Sequence, residues 1–116
     1  MSRTASERLA DILEHADRAL HAESVFASHT GVDDDLAALA FDALLYDLVV
    51  IGEAVNALPA DVLDAFPAVP WRAIVGMRNF LAHAYFEVDI DVIRATVDEP
   101  VALLVAACRS WLDRPL

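Results

Sequence analysis

The chain has 116 residues and a net charge of −11, from 19 carboxylates against eight basic side chains that are all arginine. Such a surface repels nucleic-acid phosphates at long range, which excludes non-specific nucleic-acid binding as the default reading. That length suits one domain over residues 1–116, and the 58% apolar content exceeds what one small core hides easily, which predicts a homodimer.

The first helix is expected to start at Thr4, because Thr4-Ala5-Ser6-Glu7 is a capping box. Leu9, Ile12, Leu13, Ala16, Ala19 and Leu20 then repeat at helical spacing, and the helix should run to about residue 27. Residues 28–32 read as a loop. Asp33, Asp34 and Asp35 suit the N-terminus of a second helix, where carboxylates meet the positive end of the helix dipole. Its residues Leu36, Leu39, Ala40, Ala43, Leu44, Leu48, Ile51 and Val55 form one apolar face, and Phe41, Leu45, Val49 and Val50 much of another. A helix apolar on two faces packs on two sides, in the core or across a dimer interface. Asp42, Asp47 and Glu53 within this stretch argue against a membrane span.

Leu58-Pro59 should end the second helix, and residues 61–66 could form a short turn of helix before Pro67. Pro70 suits the first turn of the next helix, spanning about residues 71–84. A last helical region begins near Asp89 and is kinked or restarted at Pro100. Beyond it Val101, Leu104, Val105, Cys108, Trp111 and Leu112 fall at core spacing. The expected architecture is all-α, an up-and-down bundle of four or five helices with short connections. Cys108 is the only cysteine, so it has no disulfide partner within the chain and reads as a small core residue. With a start that has no apolar signal core, this favours a cytoplasmic protein.

Arg78-Asn79-Phe80-Leu81-Ala82-His83-Ala84-Tyr85 is the segment that carries chemistry, with a guanidinium, an amide, an imidazole and a phenol in two turns. Helical geometry puts Arg78 and Tyr85 on one stripe and Asn79 and His83 on the adjacent one. Arg78 can grip a phosphate bidentately and stabilise the charge of a pentacoordinate phosphorus. His83 can move a proton to or from a ribose hydroxyl or a departing oxygen, while Asn79 orients the ring or holds a phosphate oxygen. Tyr85 could bond to phosphate or stack on a base. No carboxylate or cysteine cluster has metal-ligand spacing, so cleavage by these groups would need no metal and no cofactor. Spacing alone favours a packing role for the arginine and histidine over a catalytic one.

The pattern Arg78-Asn79, three residues, His83-Ala84-Tyr85 resembles the R-x4-H-x-Y motif of the HEPN superfamily, in its HepT-like branch. Ile51-Gly52-Glu53-Ala54, Leu58-Pro59, Val69-Pro70-Trp71 and Ile74-Val75-Gly76-Met77 extend the resemblance over about residues 48–91. Ala84 stands where relatives often carry glycine, a change that favours continued helix. The resemblance implies a homodimeric helical toxin of a toxin–antitoxin pair, with a minimal nucleotidyltransferase as antitoxin and RNA as substrate. It implies Arg78 and His83 as the active pair of an RNase and Asn79 as support. It also implies Tyr85 as the residue to which the antitoxin transfers AMP, blocking the site by bulk and charge.

One His83 cannot easily serve as both acid and base across one phosphate, so a symmetric dimer sharing a cleft between two motif helices is expected. Glu53 either pairs with Arg78 or another arginine, or marks an exposed break in an apolar face. His15, His21 and His29 read as surface residues, and Trp71 and Trp111 as core or interface anchors. A second functional reading, a non-catalytic nucleotide-binding or AMP-acceptor partner of the transferase, accounts better for the acidic charge.

Overall fold

The computed structural model describes residues 3–84 and 89–114. Those residues form six helical segments and no strand: α1 (Ala5–His29), α2 (Asp34–Asn56), α3 (Ala60–Ala65), α4 (Trp71–Ala84), α5 (Ile90–Asp98) and α6 (Pro100–Leu112). The fold class is therefore all-α, as expected. As packed elements, α1, α2, α4 and the α5–α6 arm make a four-helix bundle, with α3 a six-residue turn in a connection.

Local chemistry explains where each helix starts. The Thr4 hydroxyl accepts from the Glu7 backbone N–H at 3.1 Å, and the Glu7 carboxylate accepts from the Thr4 N–H at 3.0 Å. This is the capping box read from the sequence, but α1 runs two residues beyond the expected end, to His29. The chain then reverses through Gly31, whose φ of +83° lies where a side chain would be strained. Asp34 accepts from the Gly31 N–H and Asp33 caps α2 through the Leu36 N–H. Asp89 caps α5 through the Asp91 N–H, and Pro100 restarts the arm as the first residue of α6.

α1 and α2 pack along their lengths, α4 lies against α2, and α6 closes on α1. The core sits between them, with Leu9, Ile12, Leu44, Ile51, Ile93 and Leu104 almost fully removed from water. Cys108 is buried there, as predicted, and burial pushes its thiol up to about 12.

The first apolar face of α2 splits: Ala40, Leu44, Leu48, Ile51 and Val55 are buried, whereas Leu36, Leu39 and Ala43, with Tyr46, face water. The second face is half-buried, with Phe41, Leu45 and Val49 packed against the core. The expectation that His15 is a surface residue is wrong. Its side chain is only 14% exposed, and its Nδ1–H donates to Asp47 Oδ1 at 2.8 Å. His29 is half-buried and donates to the Val25 carbonyl at 2.8 Å, while His21 is exposed as predicted. No described helix is long and apolar enough to cross a membrane.

Candidate functional site

The site is built on α4, whose 14 residues contain Arg72, Arg78 and His83 and no carboxylate. Its inner side is pinned by Ile74 and Leu81, both buried, and by the Trp71 indole at its start. The Trp71 Nε1–H is shared between the carbonyls of Leu63 and Phe66, at 3.2 and 3.1 Å. That bond ties the first residue of α4 to the α3 turn, so Trp71 is an anchor, as read from the sequence. Trp111 sits edge-on to Phe66 and carries Arg114 over its ring, which also fits an anchor.

Arg78 is held between two helices. One terminal nitrogen donates to Glu53 on α2, and the other donates to Asn79 Oδ1 at 2.8 Å. Of the two readings left open for Glu53, pairing with Arg78 is the one observed, although its carboxylate remains 62% exposed. The Arg78 Nε–H is buried and has no acceptor among the described residues, so within them the guanidinium is only partly satisfied.

This pairing depends on Gly52. A Cβ there would lie 2.2 Å from Arg78 Cβ, so the bare glycine lets the arginine stem lie across α2 and brings its head to the neighbouring Glu53. The sequence shows the glycine but not what presses against it.

Asn79 and His83 are exposed and one turn apart on a helix that stays regular through Ala84, so their side chains share a face. Phe80 lies between them in sequence and is 42% exposed, a large apolar ring beside the polar motif. The structure thus joins Glu53, Arg78 and Asn79 through hydrogen bonds and sets His83 one turn further along. Tyr85, the expected modification site, lies outside the described residues. Among the described residues no three His, Cys, Asp or Glu side chains converge as a metal site requires.

A groove of about 340 Å³ adjoins the motif, between the end of α2, α3 and the first turns of α4. Asn79 belongs to both, and Asn56 and Arg72 supply the groove's other polar groups. Neither residue was singled out from the sequence, where a lone asparagine and a lone arginine carry no signal until α2 and α4 are docked.

A family model described as "Ribonuclease HepT-like" matches residues 9–110. "Probable ribonuclease HepT" of Thermococcus cleftensis is 42% identical over 62 residues, which are 53% of this chain and 56% of that protein. A protein of Methanocaldococcus jannaschii, provisionally named as an RNase, is 41% identical over 59 residues, 51% of this chain and 54% of its own length. One from Caldanaerobacter subterraneus, named in the same provisional way, is 35% identical over 72 residues, 62% of this chain and 64% of its own. The chain spans little more than half the length of the first two relatives. No solved structure matches it.

Proposed function

This chain belongs to the HepT-like family, and on that premise we propose that it is a metal-independent RNA endonuclease. In this reading it is a single cytoplasmic domain that acts as a homodimer and as the toxin half of a toxin–antitoxin pair. The observation that carries the proposal is the exposure of Asn79 and His83, beside Arg78, on a carboxylate-free helix of a chain with net charge −11. The names of the relatives, which call them RNases, support the same reading.

The chemistry follows from the groups. Arg78 grips the scissile phosphate with its partly exposed guanidinium head. Glu53 keeps its hold on one terminal nitrogen and so orients the guanidinium, while the other terminal nitrogen leaves Asn79 for the phosphate. A neutral His83 takes the proton of the ribose 2′-hydroxyl, and the 2′ oxygen attacks the adjacent phosphorus. The bond from phosphorus to the 5′ oxygen breaks as the second copy's His83, protonated, gives its proton to that oxygen. The products are a 2′,3′-cyclic phosphate and a 5′-hydroxyl. Asn79 orients the reacting groups. Two copies of α4 facing one cleft supply both histidines, and the exposed Phe80 gives that pairing apolar area.

Control comes from a minimal nucleotidyltransferase antitoxin. The Tyr85 phenol attacks the α-phosphorus of ATP, pyrophosphate leaves, and the tyrosyl-AMP formed puts bulk and negative charge beside Arg78 and His83.

Wild type, Arg78→Ala, His83→Ala and Tyr85→Phe on a panel of RNAs test this. Cyclic-phosphate ends produced by wild type and Tyr85→Phe, and lost in Arg78→Ala and His83→Ala, are the expected result. The net charge favours a second reading, in which the chain only binds nucleotide or accepts AMP. Its signature is AMP incorporation that Tyr85→Phe abolishes, with no cleavage by any form.

A further inference from the structure

The groove beside the motif differs from the rest of this acidic molecule. Of the residues that line it none is a carboxylate, and Arg72 gives it a formal positive charge in a chain of −11. Among the described residues Arg72 is exposed and makes no ion pair, and neither do Arg8, Arg109 and Arg114, whereas Arg3, Arg18, Arg78 and Arg94 are each bonded to a carboxylate. The floor is apolar, made by Val55, Val75 and the anchored Trp71, and the amides of Asn56 and Asn79 stand at its polar positions. An apolar slot with an unpaired guanidinium and two amides matches a nucleotide, which has a flat base, edge donors and acceptors, and one negative phosphate.

Gly76 sharpens the assignment. It lies in the interior of α4, where glycine costs about 0.5–1 kcal/mol relative to alanine. No close packing requires it, since a Cβ there would meet nothing within 4 Å. Gly76 borders two open spaces, this groove and another of about 310 Å³ against α5, and a side chain there would enter them. The helix gives up propensity and keeps the groove open.

We propose that this groove holds the nucleotide next to the scissile phosphate of a single-stranded RNA, with Arg72 on its phosphate and Asn56 and Asn79 on the edge of its base. The inference rests on the RNase reading, since Asn79 links the groove to the motif. Arg72 and Asn79 lie seven residues apart on one face of α4, about 10.5 Å along its axis, so a strand crossing the motif continues into the groove. A volume of about 340 Å³ admits one unstacked base but not a duplex.

The experiment measures binding of a fluorescent 2′-O-methyl RNA 12-mer, which cannot be cleaved through its 2′ oxygen, to wild type, Arg72→Gln, Gly76→Leu and Arg109→Gln, the last an exposed arginine of α6 that does not line the groove. Arg72→Gln and Gly76→Leu are expected to weaken binding on the order of tenfold, and Arg109→Gln, which removes the same charge elsewhere, to bind as wild type does. Arg72→Gln should also flatten the log–log salt dependence by about 0.7. Gly76→Leu should melt no lower than wild type, which separates a filled groove from a damaged fold. Binding by both groove variants equal to wild type overturns the groove assignment and leaves the RNase reading intact. Failure of wild type to bind or cleave any RNA overturns both, and binding of AMP without RNA overturns the groove's assignment to a strand.

Discussion

Gly52 of α2 and Arg78 of α4 leave no space between them: a methyl on Gly52 would lie 2.2 Å from Arg78 Cβ and 2.8 Å from its Cγ. The Ile74 carbonyl oxygen is 3.3 Å from the same point and, being backbone, cannot turn aside. Gly52→Ala is therefore expected to force α2 and α4 apart and to cost about 1–3 kcal/mol as an overpacked contact. Urea denaturation measures the loss, and cleavage assays should show the displaced Arg78. Gly76→Ala on α4 is the control, expected to be neutral or to stabilise by about 0.5–1 kcal/mol.

Glu53 holds the Arg78 head from α2 while remaining largely in water. Removing it should change stability by less than about 1 kcal/mol, the usual worth of an exposed pair. Its effect on cleavage should be larger and divided in a particular way. Glu53→Ala is expected to lower kcat about tenfold, because Arg78 loses its orientation, while KM stays level or falls as a negative charge near the substrate phosphate disappears. Glu53→Gln keeps an acceptor for the guanidinium and should retain more of kcat. Steady-state kinetics of the two variants checks this, and a higher KM at constant kcat would contradict it.

These two contacts mark the boundary of what sequence reasoning could reach. Thr4 with Glu7, Asp33 before α2, Asp89 before α5 and Pro100 opening α6 are decided within a few residues, so each was legible. The motif was legible for the same reason, since Arg78, Asn79 and His83 lie on one helix. Relations between helices were not. Periodicity announced two apolar faces on α2 but not that Leu39 and Tyr46 would face water. Nothing local tells that Gly52 lies under Arg78, that Asn56 and Arg72 share a groove, or that His15 meets Asp47, 32 residues away.

The capping box at the start of α1 predicts a pH dependence. The Thr4 backbone N–H, and then its side chain, hold the Glu7 carboxyl below its usual range. The unfolded chain therefore takes up that proton more readily than the folded one. Stability from this source is present above the ordinary glutamate range and is lost as pH falls through it towards the folded value. Helicity followed during acid titration should show Glu7→Gln with a shallower dependence than wild type. Thr4→Ala, which removes the hydroxyl cap, should cost about 1 kcal/mol at neutral pH.

Cys108 offers a probe of the core. With its thiol pushed up to about 12 by burial, it stays protonated and enclosed at pH 8. A thiol reagent at that pH should react with the native protein only as fast as it opens, and quickly once denaturant is added. Cys108→Ser, which places a hydroxyl among apolar neighbours, should cost about 1–3 kcal/mol, more than Cys108→Ala loses through polarity alone. Fast labelling of the folded protein would contradict this placement.

Asp47 is the one buried charged or polar residue among those described, and His15 on α1 is its hydrogen-bonding partner at 2.8 Å, with Tyr46 edge-on to the imidazole. Removing one member leaves the other without its bond, so His15→Ala strands a carboxylate that is 6% exposed. The expected cost is about 3–5 kcal/mol, the range for breaking a buried pair from one side. Replacing both together, with His15→Leu and Asp47→Leu, removes the buried charge as well as its partner and should recover most of that loss. A double-mutant cycle by urea denaturation measures the coupling. Because the pair ties α1 to α2 and touches no motif residue, the folded variants should keep the cleavage rate of wild type. A folded His15→Ala protein with reduced cleavage would show instead that this contact sets the position of α2 under Arg78.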